Sequence, residues 1–378
     1  MRIVIIGAGV LGASTAFHLA GMGAHVTIID AHLDGRATAA GAGIICPWVS
    51  GVDDPAFYRL YAAGGDYYPD LIAALADSGE TDTGYRQAGA MLVSGDTEQL
   101  AWIEGMVRER ADLSAGDVSR LSAKEAQALF PPLRRGLGGV FVGRGGRVDG
   151  RSLTACLLRV AGSRGATILE GHAELVAEVG RVIGVDVGGQ RILADCVVVT
   201  AGAWTDPVLR ALGFGVPVEP QRGQIVHLRL EGVRTEDWPV ILPPGSHYIV
   251  PFDGGRVVAG ATRETGSGFD YRVTAAGQAE VLAEALNVAP GLGVATLIET
   301  RVGFRPVGTE VRPSLGWARG VEGLAVGTGL GASGLTIGPI AGRLLAELVT
   351  RQPVAIDLGP FDPMRHAGSR LGDLSPPR

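Results

Sequence analysis

The chain has 378 residues, of which 46% are apolar and 19% charged, a globular balance that excludes a disordered chain. Its formal net charge of −6 argues against nucleic acid or an anionic membrane as a main partner. Apolar runs are broken by Gly, Arg or His well short of the roughly 20 residues of a membrane span, so none is expected. The length suggests about two domains.

Three cysteines, Cys46, Cys156 and Cys196, lie far apart, without a CxxC or a metal-ligand spacing. They read as thiols in a reducing compartment, and no metal is expected. Met1-Arg2 leads directly into Ile3-Val4-Ile5-Ile6 with no small-residue cleavage site, so the expected location is cytoplasmic. The 59 glycines follow no collagen-like period and must serve turns and close backbone approaches. Lysine occurs once, at Lys124.

Arg2–Ile6 is an apolar, β-branched run that predicts a strand, and Val10–Ala20 predicts a helix stopped at Gly21-Met22-Gly23. Ala24–Ile29 is a second buried strand, closed by Asp30. This is the β-turn-α-β unit of a doubly wound parallel sheet. Helices are predicted over Asp54–Leu75, Glu98–Arg110, Ala123–Leu129 and Ser152–Gly162. Strands follow at Ala166–Leu169 and Ala173–Val179, and Arg181–Val187 and Arg191–Leu193 flank a Gly-Gly turn. Cys196–Thr200 is a wholly apolar strand. Tyr248–Phe252 and Arg256–Ala261 bracket Asp253-Gly254-Gly255 as a hairpin. Gln278–Leu286 predicts a helix, and Thr296–Phe304 and Leu324–Val326 predict strands. Pro339–Val349 predicts a helix that starts at its proline, and the last twenty residues an irregular tail.

The pattern is α/β (α+β overall). It predicts a Rossmann-like domain assembled from discontinuous segments, residues 1–85, 140–216 and 305–378. A mainly antiparallel β-sheet domain for substrate, residues 86–139 and 217–304, is inserted between them.

Gly7-x-Gly9-x-x-Gly12 sits between the first strand and helix. Gly7 permits the tight turn, Gly9 lets a pyrophosphate approach the backbone, and Gly12 lets helix and strand pack closely. The helix start offers unpaired N–H groups to that anion. Asp30, 18 residues beyond Gly12, is placed to accept from ribose hydroxyls. Two later features favour FAD over NAD. One is the turn Ala201-Gly202-Ala203-Trp204 after an apolar strand. The other is the glycine-rich run Gly327–Thr336 before a helix, which can aim N–H groups at the negative charge of a reduced flavin near N1 and O2.

The sequence resembles the FAD-dependent amine oxidases of the D-amino-acid oxidase and glycine oxidase type. The likeness lies in Ile6–Gly12, Thr38–Ile44, Pro220–Gln224 and His247–Pro251. It ends in Gly303-Phe304-Arg305-Pro306 and Gly331–Thr336. The resemblance implies that Arg305 binds the substrate carboxylate, that Tyr248 adds a hydroxyl to it, and that Ile44 lies near the flavin. It implies cofactor contacts from Gly7, Gly9, Val10, Leu11, Gly12, Asp30, Ala31, Thr38, Ala39, Ala42, Gly43 and Ile44. Further contacts are implied for Val176, Ala201, Gly202, Trp204, Gly303, Arg305, Gly329, Gly331, Ala332, Ser333, Gly334, Leu335 and Thr336. A planar guanidinium suits the carboxylate role because it grips both oxygens.

Departures from relatives are informative. The cysteines end at Cys196, and Thr38–Gly43 holds no histidine, so the residues that carry a covalent flavin in some relatives are missing and non-covalent FAD is expected. Lys124 is badly placed to activate oxygen over the flavin, which leaves the acceptor as oxygen or another oxidant.

Arg263 depends on the hairpin. A two-residue loop puts it on the face of Tyr248, where it would favour a substrate with an extra acidic or polar group. A three-residue loop puts it on the other face, as a solvated arginine at a strand end.

The expected reaction is hydride transfer from the Cα of glycine or a D-amino acid to flavin N5. The resulting imine hydrolyses to a 2-oxo acid and ammonia. Alternatives are a sarcosine or N-methyl amino acid oxidase, a D-amino-acid dehydrogenase with a non-oxygen acceptor and, from another class, an NAD-dependent dehydrogenase. A homo-oligomer is compatible with the sequence.

Overall fold

The computed structural model describes residues 1–111 and 116–365. Most of the expected tail lies outside the described residues. Its first part holds a short 3-10 turn, Gly359–Phe361.

Two large sheets organise the chain. The first has six strands, in the order Ser314–Trp317, Leu324–Thr328, Cys196–Val199, Arg2–Ile6, His25–Asp30 and Thr167–Glu170. All pairings are parallel except that of Ser314–Trp317 with Leu324–Thr328. The period of two along these strands sorts their side chains. Ile3, Ile5, Cys196 and Val198 pack on helices Val10–Gly21 and Gly334–Val349. Val4, Ile6, Val197 and Val199 face Val182 and Val185 of a three-stranded antiparallel sheet within residues 173–193. Both faces are covered, which is why the strands read as unbroken apolar runs.

The second sheet has eight strands: Thr296–Gly308, Val218–Arg229, Arg256–Gly260, Tyr248–Pro251, Val240–Leu242, Ala90–Ser94, Gly138–Val142 and Val118–Leu121. Its pairings are antiparallel apart from Val240–Leu242 with Ala90–Ser94. Helices Ala275–Val288 and Ala123–Leu129 cover one face, and Val281, Ala285 and Ala126 enter that core. The expected segment boundaries at 140 and 305 cut through Gly138–Val142 and Thr296–Gly308, both strands of this sheet.

Two expectations need correction. The last long helix does not start at Pro339. It runs Gly334–Val349, and Pro339 lies inside it. A proline there leaves the carbonyl of residue 335 without its helical N–H. The buried Tyr68 hydroxyl donates to Leu335 O at 2.6 Å and takes that place. Residues 334–336 are therefore the first turn of a helix, and only Gly331–Ser333 is a 3-10 turn.

The hairpin loop has three residues: Tyr248 pairs with Gly260, and Phe252 N–H donates to Arg256 O. Simple alternation would then turn Arg263 away from Tyr248. The strand ends at Gly260, however, and pairing with Val218–Arg229 shifts by one beyond it. Ile225 faces Gly260, whereas Arg222 bridges Glu264. One extra residue between these pairs is a bulge, which resets which side chains face inward.

Candidate active site

A cavity of about 960 Å³ runs between the two large sheets, from Asp30 and Ala31 past the first glycine turn to Tyr248, Arg263 and Arg305. At one end the Asp30 carboxylate accepts from Ala8 N–H at 2.6 Å and His32 N–H at 2.7 Å. A carboxylate has further lone pairs for a ligand hydroxyl. Helices Val10–Gly21 and Gly334–Val349 both start at the cavity, with no side-chain cap from their own N-cap residues, so the positive ends of their dipoles lie against it. Val10 N–H is held by Thr38 Oγ1 at 3.0 Å. A Cβ at Gly12 would stand 1.9 Å from Gly7 O, so the strand-helix turn cannot close over any other residue.

The other end is built on the long strand pair Val218–Arg229 and Thr296–Gly308. Gln221 opposes Arg305 and Gly223 opposes Gly303. The Arg305 guanidinium lies against Gly223, where a Cβ would meet its Nη1 at 2.5 Å. Nη1 also donates to Thr262 O at 3.0 Å, fixing the fork. Gly260 makes the corresponding room for Tyr248, whose ring and hydroxyl would stand 2.7 Å from an added Cβ. Burial lowers the Arg305 pKa; the Tyr248 contact opposes this and the Arg263 charge adds to it. Burial likewise raises Tyr248, with the charges of Arg305 and Arg263 pulling it back. The three side chains thus share one electrostatic environment. Arg263 makes no ion pair among the described residues. Its neighbour Glu264 is gripped by the buried Arg222, which also pairs with Asp270 at 2.8 Å, so the segment carrying Arg263 is tied down from behind.

Of the residues expected at the site, Gly7, Gly9, Val10, Leu11, Asp30, Ala31, Thr38, Ala42, Gly43 and Ile44 line the cavity. So do Ala201, Gly202, Trp204, Gly303, Arg305, Gly331, Ala332, Gly334, Leu335, Tyr248 and Arg263. Gly12, Ala39, Val176, Gly329, Ser333 and Thr336 are not among its lining residues. Gly12 is used in packing, and Thr336 Oγ1 donates to Ile44 O at 3.0 Å. Sequence reasoning gave no role to Cys46, Tyr61, Gly223 or Ile225, all of which line the cavity. Only Gly223 carried a signal, inside Gln221-Arg222-Gly223-Gln224. Cys46 is buried and its thiol is pushed up to about 12 by desolvation, which keeps it protonated.

The family profile "FAD dependent oxidoreductase" (DAO) matches residues 2–348. The chain belongs to this family. Its crystallographic relatives include the iminodiacetate oxidase IdaA of Chelativorans sp. BNC1, 52% identical with a TM-score of 0.94, covering 96% of this chain and 99% of that one. The uncharacterized oxidoreductase YurR of Bacillus subtilis is 47% identical over 363 residues, 95% of this chain and 98% of that protein. Glycine oxidase of Pseudomonas putida is 33% identical over 377 residues, 97% and 99% of the two chains. The DAO-family chain is thus an FAD-dependent oxidoreductase acting on the carbon–nitrogen bond of amino acids. The NAD alternative falls with it. The cavity fits that cofactor: two helix N-termini for a pyrophosphate, a carboxylate for a ribose, and apolar walls for a ring system. Among the described residues no helix is long and apolar enough to cross a membrane.

Proposed function

We propose that the chain oxidises a small amino acid that carries two acidic groups around its amine, of the iminodiacetate type. The observation behind this reading is that a second arginine, Arg263, lines the same cavity as Arg305 and Tyr248. The relative named iminodiacetate oxidase supports it. Arg305 would grip one carboxylate through two parallel N–H···O bonds, with the Tyr248 hydroxyl as a third donor. Arg263 would hold the other. Two fixed ends orient the carbon between the first carboxylate and the nitrogen, and orientation supplies much of the rate. Two guanidiniums beside the amine lower its pKa and favour the neutral form, whose lone pair is needed. Bound FAD supplies the hydride acceptor. Residues 7, 9–11, 38, 42–44, 201–204, 331, 332, 334 and 335 would hold it without a covalent link, since the one cysteine among the lining residues, Cys46, is kept as a thiol.

A second reading, oxidation of a single-carboxylate substrate such as glycine, sarcosine or a D-amino acid, draws on Arg305 and Tyr248 alone and on the glycine oxidase relative. An anaerobic flavin-reduction screen separates the two. Wild-type protein should bleach with iminodiacetate at a kred/Kd at least tenfold above glycine, sarcosine and D-alanine. Arg263→Met should remove that preference and keep FAD. Equal rates for all four, or an unchanged preference in Arg263→Met, would refute the two-arginine reading.

A further inference from the structure

We infer that one face of helix Pro55–Asp77, formed by Tyr61, Gly64 and Tyr68, is a brace that positions the turn at residues 333–336 and thereby raises the electron affinity of the bound flavin. The inference rests on the reading that this turn faces the pyrimidine edge of the flavin ring.

The three residues are three and four apart and share one helix face. Gly64 lets the two backbones meet: an added Cβ would stand 2.5 Å from Thr336 O. Tyr61 lines the cavity, and its hydroxyl makes polar contact with those of Ser333 and Thr336. The Thr336 hydroxyl donates to Ile44 O, so the contacts form a chain that ends on the backbone of a residue in the cavity wall. Tyr68 is fully buried, stacked on Tyr85 with centroids 5.2 Å apart, and its hydroxyl meets Leu335 O at 2.6 Å.

That last bond has an electronic consequence. In an uninterrupted helix the carbonyl of residue 335 would accept from the N–H of residue 339. Pro339 has none. A peptide whose carbonyl accepts a hydrogen bond is more polarised, and its N–H becomes a stronger donor. Here that N–H belongs to Thr336, in the first helical turn, where no intrahelical acceptor exists. Tyr68 therefore restores, from a different helix, the polarisation that Pro339 removes. Thr336 is not itself among the residues that line the cavity, so this polarisation acts by adding to the helix-start dipole behind Gly334 and Leu335, which do line it, and through that dipole on a negative charge near flavin N1 and O2. Tyr61, Gly64 and Tyr68 are positioning residues in this scheme, since they act through the turn.

The test uses holoenzyme. Sulfite adds to flavin N5 and leaves negative charge at N1–O2, so its dissociation constant reports this dipole. Tyr68→Phe should keep FAD and an unchanged far-UV circular dichroism spectrum. Its sulfite dissociation constant should rise about tenfold, with a lower reduction potential against reference dyes. Tyr61→Phe should raise the constant about threefold, and it decides the matter alone if Tyr68→Phe does not fold. A purely structural role would lower thermal stability and move neither quantity. Unchanged sulfite binding and potential in both variants would overturn the brace. Reconstitution of the wild type with 2-thio-FAD checks the underlying reading separately. The sulfur should resist methyl methanethiosulfonate if the turn covers it. Free reaction would discard the placement of the turn, whereas protection together with unchanged sulfite binding would discard the brace alone.

Discussion

Replacing Arg305 with alanine is the sharpest test of the substrate end of the cavity. The side chain carries two functions. One, in the proposed reading, is the fork for a carboxylate. The other is the bond from Nη1 to Thr262 O at 3.0 Å. Each charge-assisted hydrogen bond to a carboxylate contributes about 1.5–3 kcal/mol in a part-buried site. Two of them give about 3–6 kcal/mol, and each 1.4 kcal/mol or so is a factor of ten. kcat/KM should fall by roughly two to four orders of magnitude, mostly through KM. The orphaned Thr262 carbonyl should lower stability by only about 1 kcal/mol, because the cavity admits water. FAD should stay bound, since the glycine turn and both helix starts lie elsewhere in the cavity. The assay is steady-state kinetics with the best substrate from the anaerobic screen, with the flavin-to-protein absorbance ratio followed in parallel. Arg305→Lys should recover part of the loss, as a point charge cannot reproduce the fork. An alanine variant within twofold of wild type would mean that the carboxylate binds elsewhere.

Two further outcomes follow from the same geometry. Gly223→Ala places a methyl 2.5–2.7 Å from three guanidinium atoms of Arg305; it should lower kcat/KM at least tenfold while FAD occupancy, read from the visible spectrum, is unchanged. Burial, with the nearby charges of Arg343 and Arg164, pushes His18 down from 6.5 to about 3. The unfolded chain therefore takes up a proton below pH 6.5 that the native state refuses until about pH 3. Stability should be full above pH 6.5 and decline as pH falls through that window, by about 1 kcal/mol between pH 6.5 and 5 after allowance for solvent screening. Urea unfolding at about pH 7 and pH 5 measures this, and His18→Gln should flatten the difference.

Much of the cofactor end was legible because its signals are local. A strand, three spaced glycines, an uncapped helix and a terminal acid occupy residues 2–30 in sequence order, and each requirement is met within a few residues of the next. Apolar runs likewise announced the parallel sheet, because strands covered on both faces have no polar side to alternate with. The resemblance added Arg305 and Tyr248, whose roles no local rule contains.

What the sequence by itself determined, then, is the set of pieces: a dinucleotide turn, its acid, and arginines on strands able to face a ligand. The tertiary structure alone decided which arginines share a cavity. Arg263 could be placed on either face by counting twos; a single extra residue between the pairs Ile225–Gly260 and Arg222–Glu264 breaks that count, and Arg263 lines the same cavity as Arg305. Pro339 looked like a helix start because a proline is cheapest there. Its actual place, inside the helix Gly334–Val349, became tenable through the Tyr68 hydroxyl, which reaches Leu335 from 267 positions away in the chain. Periodicity is a property of neighbours along the chain, whereas a bulge or a borrowed hydrogen bond is fixed by partners that only folding brings together.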